Sequence, residues 1–192
     1  SHWRAGQWQR ARVLFQQATD IFERVGEKAQ IVYLYAAVKH CMLEHWLAHS
    51  AEASRVCTKA RALTAASLGQ ESELFGDIES AELDGALESG NLPAAHEAYV
   101  RAKALYPPTV ANRLRHGRLQ SSYAEWLMRQ SRWEEARKLL PAAISDISMR
   151  PHKIPLLLAQ ARLLSACDES SGPECSLDLR GNYEATLAAV AD

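Results

Sequence analysis

Small, apolar and polar positions along this chain keep a long-range order. The segment Gly6-Gln7-Trp8-Gln9-Arg10-Ala11, followed by Phe15 and Ala18, returns in form three times. Ala48, Ser50, Ala53, Cys57 and Ala60 repeat its spacing. So do Gly90, Leu92, Ala95, Tyr99 and Ala102, and then Ser131, Trp133, Ala136, Leu140 and Ala143. The first alanine column (11, 53, 95, 136) advances by 42, 42 and 41 residues, and the second (18, 60, 102, 143) by the same steps. One alanine column would mean little in an alanine-rich chain. Two of them, moving together with a small-residue column and a bulky column, define an internal repeat.

Each column has a physical reason. The small residue (Gly6, Ala48, Gly90, Ser131) belongs where one helix ends and the chain turns back, a place that disfavours a large side chain. The bulky residue two positions later plugs the open end of a helix pair. The first alanine lets two antiparallel helices approach closely, and the bulky residue four after it fills the space beside that contact. The second alanine leaves room for the next pair to dock. The pattern predicts a helix over 8–24, preceded by the tail of another at 3–4. Pairs follow at 30–47 with 50–66, 71–89 with 92–105, and 109–130 with 133–147. A fifth pair opens at 154–167 and closes weakly at 182–190. Pro107-Pro108 and Pro151 end units.

Composition agrees with helices: Ala, Leu, Glu, Arg and Gln are abundant, while Val, Ile and Thr are sparse. A hydrophobic fraction of 47% with 23% charged residues suits a packed chain. A formal net charge of −1 leaves no domain-wide basic field, which disfavours nucleic acid or an anionic membrane as the primary partner. No apolar run approaches the roughly 20 residues of a spanning helix, and a cytoplasmic location is expected.

The recurring Gly-x-Trp-x-x-Ala-x-x-x-Phe-x-x-Ala of the first unit resembles the tetratricopeptide repeat, and Gly90-x-Leu92-x-x-Ala95-x-x-x-Tyr99-x-x-Ala102 carries the same form. The likeness covers nearly the whole chain, with Pro107 where that family often places a helix-ending proline. The period departs from the family's, which is about 34 residues, and the first helix of each pair carries the motif weakly. The resemblance implies an all-α fold, a right-handed α-solenoid of antiparallel helix pairs. It would be a single repeat domain over 3–192, with units at 3–24, 30–66, 71–105, 109–147 and 154–190. Both ends read as cut from a longer array, because no polar capping helix opens or closes the chain.

Among candidate chemistry, Glu73, Asp77, Ser80, Asp84 and Glu88 form one stripe on the helix at 71–89, opposite a packing surface of Leu74, Ile78, Ala81 and Leu83 to Leu87. Like charges at i,i+4 are mutually unfavourable by about 0.2–0.5 kcal/mol a pair. In the tetratricopeptide arrangement that stripe lines the inner, concave wall. The repeat alignment sets Asp77 in the row of Tyr35 and Arg118, Asp84 with Met42 and Glu125, and Glu88 with Trp46 and Arg129. One reading pairs these charges between repeats, Asp77 with Arg118 and Glu88 with Arg129. The other makes an acidic and apolar groove for a basic or amphipathic peptide, with Tyr35, Met42 and Trp46 as apolar contacts.

Cys41, His45 and His49 line one helix face at steps of four, yet a closed metal site needs ligands from another helix, and the sequence shows no matching cluster. The four cysteines make no Cys-x-x-Cys pair. Cys41 and Cys57 are expected as buried, reduced thiols. Cys167 and Cys175 flank a loop flexible enough for them to meet in an oxidising compartment. Arg113, Arg115, His116 and Arg118 form a local basic cluster without the interleaved aromatics of single-strand binders. No nucleophile, phosphate-loop or zinc-protease motif is visible.

The expected function is therefore a non-enzymatic protein-interaction module without cofactor, the regulatory segment of a larger signalling protein. It would bind a peptide or partner protein on its concave face, and oligomerisation through uncapped ends is open. Two alternatives stand beside it. One is a metal- or redox-sensing regulator through Cys41, His45 and His49; the other is a helical nucleic-acid binder through 113–118.

Overall fold

A computed structural model describes residues 8–25, 30–47, 49–107 and 109–146. Among the described residues the chain is all helical. The helices are α1 (Trp8–Val25), α2 (Gln30–Trp46), α3 (Ser50–Leu68), α4 (Glu73–Glu88), α5 (Leu92–Leu105), α6 (Arg113–Arg129) and α7 (Trp133–Asp146), with a 3-10 turn at Val110–Asn112. These bounds fall within a few residues of the predicted ones from 8 to 147. The fifth predicted pair and the tail at 3–4 lie outside the described residues. No described helix is long and apolar enough to cross a membrane.

The chain divides into two compact units, Ser1–Tyr106 and Pro107–Asp192. In the first, α2 pairs with α3 and α4 with α5, α4 lies against both α2 and α3, and α1 covers α2. The core runs through Leu34, Val38, Cys41 and Met42 of α2, Val56, Cys57 and Ala60 of α3, and Leu74, Ile78 and Ala81 of α4. Burying a leucine or isoleucine of this kind contributes about 1.5–3 kcal/mol. The second unit, over its described part, is the hairpin of α6 and α7.

The repeat is visible in the backbone itself. Where α2 turns into α3, the His49 N–H donates to Glu44 O at 3.0 Å. Where α4 turns into α5, Asn91 donates to Ala86 O at 2.8 Å, and between α6 and α7 Arg132 donates to Leu127 O at 2.9 Å. Each is a bond to the residue five back, which satisfies a carbonyl that the helix end leaves open. Gly90 and Ser131, both in the predicted small-residue column, have φ of +74° and +58°. One step further, the first alanine column donates back to the residue that opens the next helix: Ala53 to His49 O, Ala95 to Asn91 O, Ala136 to Arg132 O. All three alanines are fully buried, as are Ala60, Ala102 and Ala143 of the second column. A larger side chain would separate the helices there.

Local signals explain the ends. Ser72 caps α4 by accepting from the Phe75 N–H, and Asn91 caps α5 by accepting from the Ala94 N–H at 3.2 Å, with Pro93 in the first turn. Glycine in the first turn of α4 answers a close approach: a Cβ at Gly76 would lie 2.5 Å from Tyr106 Cε1. That ring follows α5, and its hydroxyl donates to Asp77 Oδ1 at 2.9 Å.

Candidate interaction site

Helix α4 is buried on more than its apolar face. Besides Leu74, Ile78, Ala81, Leu83 and Leu87, it buries Asp77, Glu79 and Ser80. The acidic stripe read from the sequence is thus divided. Asp77, 5% exposed, accepts from Tyr106 and meets Lys39 Nζ at 3.5 Å. Asp84 is half-buried and Glu88 exposed. On α2, Tyr35 is 47% exposed, whereas Met42 is 2% exposed and takes Lys39 Nζ at 3.4 Å on its sulfur. Trp46 ends α2; its side chain lies outside the described residues. In the second unit Arg118 and Glu125 are half-buried and Arg129 is exposed. Arg129 donates to Glu125 one turn back at 2.7 Å. Arg115 and His116 of the basic cluster reach Asn112 Oδ1 and Pro107 O, which fixes the start of α6.

A concavity of the first unit lies between α3 and α5, over the second half of α4. It is a cleft of about 540 Å³ with a floor and walls of small side chains, among them Ser50, Ser54, Gly85, Ala86, Ala94 and Ala98. His45, Glu82, Glu88, Arg61 and Arg101 add the polar groups. Of the predicted site residues whose side chains are described, Glu88 alone borders it.

Beneath the cleft stands a carboxylate that sequence reasoning did not single out. Glu79 is wholly buried, and Arg61 of α3 and Arg101 of α5 each grip one of its oxygens, Arg101 Nε at 2.8 Å. Arg61 also reaches Glu82 at 3.6 Å and lies over the Phe75 ring at 5.2 Å. A carboxylate without solvent is tolerable only when paired and hydrogen-bonded. Glu79 thereby ties three helices together and holds the two guanidinium groups in place along the cleft.

A second buried carboxylate, Glu44, sits on the far face of α2. Arg12 of α1 donates to its Oε1 at 2.6 Å, His40 Nε2 lies 3.1 Å from the same oxygen, and His49 Nδ1 lies 2.9 Å from Oε2. Since a carboxylate oxygen accepts, each ring nitrogen donates. Burial holds His40 below the usual histidine range, and the neighbouring Glu44 offsets only part of that shift.

The sequence placed Cys41, His45 and His49 on one helix face; the structure keeps Cys41 and His45 together and turns His49 away. His49 turns to Glu44. Cys41 is joined by a disulfide to Cys57 on α3, which corrects the expectation of two reduced thiols, although both are buried as expected. The cause is the hairpin register, which sets their Cα atoms 4.7 Å apart, within bridging range. Cys167 and Cys175 lie outside the described residues. His45 packs between the disulfide and α4, its ring seated on Gly85, where a methyl group would overlap it. Burial lowers the His45 pKa, with Glu82 and Asp84 opposing. No protein-family model matches this chain, and no curated protein matches it.

Proposed function

We propose that this chain is an interaction module of the helical-repeat kind, holding a segment of a partner protein without transforming it. The observation that carries this reading is the cleft between α3 and α5. Small residues let a partner backbone come close; Arg61 and Arg101 are held on buried Glu79, and with Glu82 and Glu88 the acids outnumber the arginines by one. The favoured occupant is a basic or amphipathic segment, extended or helical. A right-handed superhelix of tetratricopeptide-like pairs, within a cytoplasmic regulatory segment of a larger signalling protein, is the setting that accompanies this proposal. The step from fold to function is analogy, and the cleft gives it a place to be tested.

Peptides from a random displayed library, selected on the full chain, test it. Enriched peptides should carry basic residues and lose at least about tenfold in affinity, roughly 1.4 kcal/mol, against Ser54→Arg, which adds bulk and charge at an exposed cleft position. Absence of enrichment would sink the module reading. Equal binding to Ser54→Arg, with loss against Tyr35→Ala or Asp84→Lys, would move the site to the wall predicted from the sequence.

A further inference from the structure

Cys41 and His45 stand one turn apart on α2, and Cys57 faces them from α3. Each offers one ligand atom, and the three atoms lie within 4.8 Å of one another. Both cysteines are fully buried, and the His45 side chain is only 10% exposed. Its Nε2 is buried without a hydrogen-bond partner, the nearest carboxylate oxygen, of Glu82, standing 3.7 Å away. Leaving such a nitrogen unmet is costly. Its place is nonetheless built, because Gly85 alone of the common residues leaves room for the ring. The ligand from a second helix that the sequence did not reveal is Cys57.

We propose that the reduced form of this chain binds one zinc ion through Cys41 Sγ, Cys57 Sγ and a ring nitrogen of His45. Two thiolates and an imidazole suit zinc over magnesium or calcium, and three protein ligands leave a fourth position of the tetrahedron for water or an added group. Tetrahedral bonds of about 2.0–2.3 Å require ligand atoms roughly 3.5–3.8 Å apart, so side-chain rotations on the order of 1 Å complete the site. Glu82, beside the His45 ring, is placed to hold the imidazole or the fourth ligand.

The disulfide and the zinc site exclude each other, because the same two sulfurs form both. A thiol reductant opens the bridge by transferring two electrons and two protons to it, becoming a disulfide itself. Zinc then displaces the two thiol protons. A peroxide reverses the change: two thiolates give up two electrons to re-form the S–S bond, the peroxide is reduced to two waters with uptake of two protons, and zinc leaves. Cys41–Cys57 is thus a switch between a covalent and a metal-held fastening of α2 to α3.

The test is to reduce the full chain in denaturant, refold it with and without zinc sulfate in the absence of oxygen, and count bound metal and free thiols. About one zinc per chain is expected in the reduced protein, none in the oxidised protein, and release on adding hydrogen peroxide. Cobalt in place of zinc should give the thiolate charge-transfer and intense tetrahedral bands of a two-sulfur site. His45→Gln should weaken zinc by more than the roughly 10–100-fold that loss of a supporting group causes. Cys57→Ser should abolish the two-sulfur spectrum. If either variant fails to fold, the oxidised and reduced wild-type chains decide alone. A reduced wild-type chain that takes no zinc overturns the proposal, whether it folds without metal or stays unfolded when metal is supplied. So does a cobalt spectrum lacking thiolate, or undiminished zinc affinity in folded His45→Gln.

Discussion

The hairpins α2–α3 and α4–α5 share a backbone bond to the fifth residue back and are fastened by different chemistry. In α2–α3 the bond is covalent, Cys41 to Cys57, and the buried Glu44 at the end of α2 is held by one arginine and two histidines. In α4–α5 no bridge exists, and the buried Glu79 is held by two arginines, one from its partner α5 and one from α3. Guanidinium groups stay charged at every physiological pH; imidazoles do not. The α2–α3 fastening therefore answers to reduction of its bridge and, through His40, to acid. One repeat framework accommodates either, because the turn and the alanine columns set the helix separation and leave the polar positions free to vary.

The largest effect should come from stripping Glu79. Arg61→Met with Arg101→Met leaves a buried carboxylate without a counter-ion, and a loss of about 3–5 kcal/mol is expected in urea unfolding. Adding Glu79→Leu should recover most of it, since apolar replacement of a whole buried ion cluster is often neutral. A double variant within about 0.5 kcal/mol of wild type would mean that Glu79 reaches solvent and does not fasten the hairpin.

Reducing the disulfide in metal-free buffer comes next. The cysteines are 16 residues apart, and a loop of that length corresponds to about 3 kcal/mol in the chain-entropy account. The midpoint should fall while the far-ultraviolet helix signal persists at low urea. A midpoint that does not move would show that packing alone fastens α2 to α3.

Arg12→Ala separates the two carboxylates further. It removes the permanent cation that, among the described residues, pairs with Glu44, for an expected loss of about 1–3 kcal/mol at neutral pH. The oxidised wild-type chain should itself weaken on acidification. A histidine whose folded pKa lies below its unfolded one binds fewer protons folded, so His40's contribution is complete above about 6.5 and declines as pH falls through that value. The groups facing His40 are Glu44 on its own helix, Arg12 on α1 and Glu52 on α3. Arg12 is among those holding the His40 pKa down, so in Arg12→Ala the acid loss should shrink and the variant should approach wild type near pH 5.5. A deficit that stays constant from pH 8 to 5.5 would show that His40 does not stand in for the arginine.

These contrasts mark what the sequence could carry. Helix positions, the alanine columns and the small residue at each turn follow from local rules of capping, close approach and left-handed backbone, and every described helix lies where the pattern puts it. The buried charges follow no local rule. Glu79 reads as a solvated helix position until Arg61 and Arg101, 18 and 22 residues away, are seen to converge on it. Asp77 reads as one step of an exposed acidic stripe until Tyr106, returning after α5, and Lys39 of α2 are seen to meet it. Met42 reads as a contact residue, but it lies within the core formed by α2, α3 and α4. The Cys41–Cys57 pairing depends on hairpin register to within one residue, finer than a period of about 42 residues specifies.

The smallest effects concern the turn that the hairpins share. Gly90 and Ser131 occupy the same column with φ of +74° and +58°, a region that glycine adopts freely and serine only at a cost. Nothing stands within 4 Å of a Cβ built at Gly90, so Gly90→Ala meets no clash; its backbone strain of about 1–2 kcal/mol is partly offset by the roughly 0.4–1 kcal/mol of freedom the unfolded chain loses, for a net loss near 0.5 kcal/mol. Ser131→Gly removes the same strain from the α6–α7 turn. Its relief of about 1–2 kcal/mol is partly offset by the roughly 0.4–1 kcal/mol of added freedom in the unfolded chain, for a net gain near 0.5 kcal/mol. Urea midpoints at unchanged slope measure both, with near-ultraviolet dichroism of Trp126, stacked on Tyr123 in α6, reporting the second turn. Opposite signs at the two positions are required if one turn geometry serves both hairpins. A stabilising Gly90→Ala, or a destabilising Ser131→Gly, would show that the shared bond to the fifth residue back forms without the left-handed residue before it.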